Sequence, residues 1–240
     1  MQHYFVSQRK DNFFLFDKET THHLLNVMRV KNNEEVICVY EKEFYLCNLI
    51  IENKDIKALI TKNMNINNEL TAHINLIYGI PKGEKLELVL QKSTELGVSE
   101  ITLLNSNRSI VKFDEKKIDS KYERFNKIIK NASEQSKRNI IPSLNKPINL
   151  NEVPLGDINL IAYEEESKNN QSTLYEVLNT DLNNKKINIV IGPEGGFSPN
   201  EVKYLNDLGY KSVSLGKRIL RSETACIDMI SIIAFMAERK

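Results

Sequence analysis

The stretch Ile189-Val-Ile-Gly-Pro-Glu-Gly-Gly-Phe-Ser-Pro-Asn-Glu201 places three glycines in five positions behind an apolar run, in a chain of 240 residues that holds only nine. Glycine lacks a Cβ, so such a loop lets another group come close to its main chain. Ser198 stands where it can cap a following helix, with Pro199 at the first helical position and Glu201 completing a capping box. The stretch therefore reads as a strand, a loop and a helix. In open α/β sheets, ligands bind in such loops at the carboxyl ends of the strands. The spacing is neither G-x-G-x-x-G nor G-x-x-x-x-G-K-[ST], which argues against a dinucleotide or a nucleoside triphosphate. Glu194 would repel a pyrophosphate, so a cofactor with little negative charge is expected. The plain structural alternative is a tight turn packed on a neighbour.

A second stretch, Val213-Ser-Leu-Gly-Lys-Arg-Ile-Leu-Arg-Ser-Glu-Thr-Ala225, repeats the arrangement of short strand, glycine loop and helix entrance. Two such loops at successive strand ends make one shared crevice the expectation. Upstream, apolar runs at Ile74–Ile80, Ile101–Leu104, Ile158–Tyr163 and Ile187–Ile191 alternate with helical patterns. These patterns cover Glu84–Leu96, Ser120–Lys137, a helix from near Ser172, and Pro199–Leu208; Glu223–Glu238 closes the chain. The alternation predicts a parallel sheet with helices on both faces. The first ~70 residues differ, with short strands at His3–Gln8, Asn12–Phe16, Glu35–Tyr40, Phe44–Ile51 and Ile56–Lys62. Together with one helix around Leu24, Leu25 and Met28, they suggest a small β-barrel. The polar segment Asn63–Glu69 is the expected boundary, giving domains 1–70 and 71–240.

Composition is that of an ordinary globular protein, 41% hydrophobic and 27% charged. No apolar run approaches the ~20 residues of a membrane span. The N-terminus lacks the pattern of a signal peptide, so a cytoplasmic protein is expected. Cys38, Cys47 and Cys226 lack metal-like spacing and are expected to be reduced. Net charge is −1 over residues 1–70, +5 over 71–146 and −3 over 147–240. A basic middle suits local contact with a polyanion, although solvated helix faces give the same count.

The two glycine loops, GPEGGFS with Glu201 and SLGKRILRSETA, resemble the paired C-terminal signatures of SPOUT RNA methyltransferases. More narrowly they resemble the RsmE family, which methylates N3 of a uridine in 16S ribosomal RNA. The likeness continues in KGEKLELVLQKSTELGVSEITLLNSNRS (82–109), SEQSKRNIIP (133–142) and THHLLNVMRVKNNEEV (21–36). His3, Asn131-Ala-Ser133 and Lys137 depart from the family pattern, which has Arg, an acidic residue before two alanines, and Gly at these places. The resemblance implies a PUA-like β-barrel followed by a SPOUT α/β domain with a trefoil knot, a homodimer, and the small ribosomal subunit as partner. Its cofactor would be S-adenosylmethionine, with no metal.

The resemblance also distributes roles. Ala162, Tyr163 and Glu164, then Ile191, Gly192, Pro193, Glu194, Gly195 and Gly196, then Leu215, Gly216, Ile219, Leu220 and Thr224 would hold the cofactor. Arg221 would stabilise charge developing on uracil, and Glu223 would either accept its N3 proton or orient Arg221. A structural Arg221–Glu223 ion pair is the bland alternative. Arg9, His22, Arg29, Lys82, Lys92, Arg108, Gln135 and Arg138 would meet RNA, the guanidinium groups through phosphate. Lys92 and Glu95 could equally form an ion pair within one helix. His22 and His23 have no further ligands nearby in sequence, so a metal is not expected. Two other readings stay open: a SPOUT enzyme acting on another base or a 2′-hydroxyl, and a non-catalytic RNA-binding assembly protein.

Overall fold

A computed structural model describes residues 1–53, 55–83, 85–108, 118–163 and 174–239. Its chain divides into two compact units, Met1–Glu69 with Ser133–Ile140, and Leu70–Ala132 with Ile141–Lys240.

The first unit contains β1 (His3–Phe5), β2 (Gln8–Lys10), β3 (Phe13–Leu15), α1 (Lys18–His22), β4 (Glu35–Tyr40), β5 (Glu43–Glu52) and β6 (Asp55–Asn63). Its strands form one sheet in the order β1-β4-β5-β6-β3-β2. Only Val6 and Ser7 separate the two edge strands in sequence. A flat sheet of this width would part its edges by about 24 Å, yet three residue steps reach at most about 11 Å. The sheet must therefore curl. The expected single strand His3–Gln8 is split for this reason, since the chain crosses from one edge to the other within it. Tyr4, Phe14, Leu24, Val36, Cys38, Cys47 and Leu49 fill the curled interior.

Asp17 caps α1 by accepting from the Thr20 N–H at 2.6 Å. The helix then widens into a π turn over His23–Met28, which ends at Arg29 in the left-handed region with φ 52°. Ser133–Ile140 belongs to this unit although it lies far along the chain. There Asn139 donates to the carbonyls of Lys42 and Ile66, each at 2.8 Å, and Glu134 accepts from the Phe5 N–H at 3.1 Å. Lys137 has φ 59°, a conformation that favours glycine, the residue usual there in the family it resembles.

The second unit contains β7 (His73–Gly79), α2 (Lys85–Glu95), β8 (Glu100–Asn105), α3 (Ile118–Gln135, whose last residues group with the first unit) and β9 (Ser143–Asn149). There follow β10 (Ile158–Ala162), α4 (Leu174–Leu178), β11 (Lys186–Ile191), α5 (Pro199–Leu208), β12 (Lys211–Val213) and α6 (Ser222–Ala237). The sheet order is β12-β10-β11-β7-β8-β9, and every pairing is parallel. Central strands β7 and β11 are apolar almost throughout because both of their faces are covered. Leu76, Tyr78, Leu103, Leu160 and Ile189 form one face, under Leu90, Phe125, Leu178 and Met229 from four helices. Ile77, Leu104, Ile161 and Val190 form the other, against Val202 and Leu205 of α5. The expected start at Ser172 lies outside the described residues, as does Glu84. No described helix is long and apolar enough to cross a membrane. The three cysteines are free and buried.

A polar ladder crosses five strands of this sheet. Asn145 Nδ2 donates to Thr102 Oγ1 at 3.0 Å, and Thr102 donates to Asn75 Oδ1 at 3.5 Å. Asn75 Nδ2 donates to Asn188 Oδ1 at 3.1 Å, and Asn188 Nδ2 to Asn159 Oδ1 at 2.9 Å and to the Pro154 carbonyl at 3.1 Å. A slip in register would strand the amides of Asn75 and Asn188 in the core, so the ladder selects one alignment. Asn188→Ala removes the central member and leaves the buried Asn75 Nδ2 without its acceptor. It should cost about 2–3 kcal/mol, measured as a lower urea midpoint with unchanged slope.

Candidate functional site

The loop after β11 begins at Gly192 and ends where Ser198 caps α5. Ser198 Oγ accepts from the Glu201 N–H at 3.3 Å, while Glu201 Oε2 accepts from the Ser198 N–H and hydroxyl at 2.8 Å each. The other Glu201 oxygen accepts from the Asn107 N–H at 2.8 Å, so this buried carboxylate also ties down the chain after β8. The capping box read from the sequence is present in full.

Most of the glycines serve the protein itself. A Cβ on Gly79, at the end of β7, would lie 2.5 Å from Pro193 Cδ, and one on Gly192 would lie 3.1 Å from the Gly196 carbonyl carbon. A Cβ on Gly195 would meet Arg108 Cβ at 3.3 Å, and Gly195 does not line the cavity described next. Gly196, with φ 62°, and Gly216, with φ 113°, have nothing within 4 Å of a built Cβ, and both line the cavity. Gly192 and Gly195 are thus packed against neighbouring groups of the chain, while Gly196 and Gly216 leave open space where a Cβ would stand.

The loop after β12 meets the first through the start of α6. The Ser222 hydroxyl donates to the Gly192 carbonyl and lies 3.0 Å from the Tyr78 hydroxyl. Burial pushes the Tyr78 pKa well up, against the opposing effect of the Ser222 hydrogen bond, so this phenol stays neutral. Beside β10, the Tyr163 N–H donates to the Val213 carbonyl at 3.2 Å, joining the third strand end to the second loop.

Between these three strand ends lies a cavity of about 380 Å³, within the range of small-molecule sites. Ala162, Tyr163, Ile191, Gly192, Pro193, Glu194, Gly196, Leu215, Gly216, Ile219, Leu220 and Arg221 of the expected residues line it. Thr224 is exposed and does not, and Glu164 lies outside the described residues. Lys85, Phe197, Ser214, Arg218, Ser222 and Ala225 line it as well. Phe197 and Ser222 stand inside the two loop signatures, so loop membership would have found them; Lys85 stands in a distant block.

The charges are arranged differently from the expected Arg221–Glu223 pair. Arg221 is exposed on the cavity, and its guanidinium has no partner among the described residues. Glu223 is paired instead with Lys85, at 3.5 Å, and does not line the cavity. Glu194 lies 3.3 Å from the same ammonium and accepts from the Lys82 N–H at 3.1 Å. Burial would raise the Glu194 pKa, but backbone N–H donors and Lys85 outweigh it and hold the carboxyl below its ordinary value. Its charge is thus turned towards Lys82 and Lys85.

The expected RNA contacts separate into three groups. Arg9, His22, Arg29, Lys82 and Gln135 have exposed side chains. Lys92 forms the intrahelical pair with Glu95 at 2.9 Å, and Arg108 donates to the Gly195 carbonyl at 2.8 Å. Arg138 is only 4% exposed, with its Nε donating to Glu69 at 3.2 Å, so its guanidinium is committed to the interior of the first unit and not to phosphate. No group of metal-ligand residues occurs among the described residues.

A family model for an RNA methyltransferase domain matches residues 68–234, and one for an RNA methyltransferase PUA domain matches residues 16–60. Fold and site together define an RNA methyltransferase of mixed α/β architecture with a PUA domain. The chain is 35% identical to ribosomal RNA small subunit methyltransferase E of Bacillus subtilis, covering 99% of this chain and 98% of that one. It is 37% identical to the protein of the same name from Mesomycoplasma hyopneumoniae, with 96% and 98% covered. The solved structure of the Neisseria gonorrhoeae methyltransferase E, bound to S-adenosyl methionine, superposes with a TM-score of 0.85 at 29% identity over 97% of this chain and 96% of that one. The chain belongs to the ribosomal RNA small subunit methyltransferase E family.

Gly79→Ala should push on Pro193 and destabilise by about 1–3 kcal/mol. Gly195→Ala, facing a side chain that can yield, should cost clearly less. Denaturant melts of the two variants check this, and equal losses would contradict the packing account.

Proposed function

We propose that this protein transfers a methyl group from S-adenosylmethionine to N3 of a uridine in 16S ribosomal RNA. The observation that carries the reading is the cavity shared by three parallel strand ends, stitched by Ser222, in a fold that superposes on a relative bound to that cofactor. The residues present fit the group. Gly196 and Gly216 open bare backbone to the cavity, and its volume suits a small molecule. Glu194 sets a carboxylate in the cavity wall, which a cationic donor can approach. When bound, S-adenosylmethionine supplies a methyl group on a sulfonium that leaves as a neutral thioether.

The chain's own task is alignment and charge. Fixed positioning of two reactants contributes up to ~7–11 kcal/mol, and two loops linked through Ser222 provide a rigid wall for it. Uracil N3 becomes nucleophilic on losing its proton, at roughly 1.4 kcal/mol per unit of pKa mismatch. In this reading the guanidinium of Arg221, which lines the cavity, stabilises the resulting anion through O2 or O4. Glu223 faces Lys85, so in this reading it orients charge at the site instead of contacting the base. The exposed Arg9, His22, Arg29, Lys82 and Gln135 supply RNA contacts, with the first unit acting as a PUA-type RNA-binding domain.

The same reading includes a homodimer working on the small ribosomal subunit in the cytoplasm, and a knotted path through the two loops.

Mass spectrometry of nucleosides from 16S RNA, with and without the gene, tests the function. Loss of 3-methyluridine on deletion is expected, and an unchanged level would refute the assignment. Arg221→Ala should lower kcat by about a hundredfold or more, with cofactor affinity within about threefold of wild type. Parallel losses in both would make Arg221 a cofactor-binding residue.

A further inference from the structure

Lys85 is the first residue of α2, in the cavity wall, and stands in a sequence block distant from both loops. A cation at a helix N-terminus meets the positive end of the helix dipole, which is electrostatically unfavourable. Here two carboxylates offset that cost. Glu194 Oε1, from the loop after β11, lies 3.3 Å from the ammonium, and Glu223 Oε2, from the first turn of α6, lies 3.5 Å from it. The Glu223 oxygen is buried and accepts no hydrogen bond, so the charge of Lys85 is its compensation among the described residues. One ammonium thus bridges the two chain segments that wall the cavity.

We propose that Lys85 is a positioning residue of this site: it clamps Glu194 to Glu223 and so holds the two loops in the geometry that takes the methyl donor. The inference rests on reading the cavity as the S-adenosylmethionine site. Ser222 joins the loops through a single hydroxyl, while Lys85 joins them through charge. Without Lys85, Glu194 keeps its hydrogen bonds to the Lys82 N–H, but Glu223 has a buried charge with no counterpart. The α6 entrance then shifts relative to the first loop, and the cavity loses its shape. Since Lys85 and Glu194 are each about one-third exposed, the pair adds little to global stability, and the effect falls on the site.

The test is calorimetric titration of S-adenosylmethionine into the full chain, for wild type, Lys85→Met, Lys85→Arg, Glu223→Gln and the Lys85→Met/Glu223→Gln double variant, with thermal melts alongside. Lys85→Met is expected to bind about tenfold or more weakly, Lys85→Arg to stay within about threefold, and the double variant to lose about as much as Lys85→Met by itself. In turnover, KM for the donor should rise by the same factor while kcat at saturating donor stays within about threefold. Binding by Lys85→Met within about twofold of wild type overturns the inference, as do additive losses in the double variant. If Lys85→Met does not fold, the double variant decides, because it removes the stranded carboxylate. Wild-type affinity in it would show mere charge compensation, and a tenfold loss would support the clamp. A wild-type chain that binds no S-adenosylmethionine overturns the cavity assignment first, and this inference with it.

Discussion

Strands β10, β11 and β12 run parallel and side by side, so the loops that follow them leave the sheet at one edge. That constraint generates the site. A parallel strand must be followed by a crossover, and the crossover starts at the carboxyl end of every strand. The loops after β11 and β12 therefore meet beside Tyr163 without either of them being long. What remains is to keep them at a fixed spacing, and three polar contacts do so: Ser222 with Gly192, Tyr163 with Val213, and Glu201 with Ser198 and Asn107. Each uses a backbone group that would otherwise be buried or left unpaired near a helix end. The same contacts that satisfy these groups set the walls of the cavity.

The sheet beneath is made specific by polar atoms as much as by apolar ones. Leu76, Val190 and Ile189 would pack acceptably in more than one register, since branched aliphatic side chains are interchangeable in a well-filled core. Asn75, Thr102 and Asn188 would not, because each needs the partner directly across from it. Alignment of β11 between β10 and β7 follows, and with it the height at which Gly192 and Tyr163 emerge.

Local signals in the sequence were sufficient for the parts that are themselves local. Ser198, Pro199 and Glu201 marked the start of α5, and the apolar runs marked β7, β8, β10 and β11. Strand β9 was invisible because Ser143–Asn149 holds a lysine and a proline and has no buried position, as an edge strand tolerates. The membership of Ser133–Ile140 in the first unit depends on Asn139 and Arg138 finding partners some seventy residues or more away, Glu69 and Lys42 among them, which no periodicity records. The role of Arg138 was misread for the same reason: a guanidinium suits phosphate and carboxylate alike. Gly195 looked like a ligand position because glycine reports only that something is close, not whether that is a cofactor or Arg108. Lys85 escaped because an ion pair across loops leaves no spacing to read.

The ends of both sheets bear on how the protein behaves in a crowded cell. An edge strand exposes unpaired N–H and C=O groups that invite another chain to add itself. In the first unit these edges are β1 and β2, three residues each, and β2 carries Arg9 and Lys10. In the second they are β12, again three residues, and β9, interrupted by Lys146 and Pro147. Short length, cationic side chains and a missing donor each deny a template to a passing strand. Among the described strands, the rims of both sheets thus give fibril-like or strand-exchanged pairing little to build on.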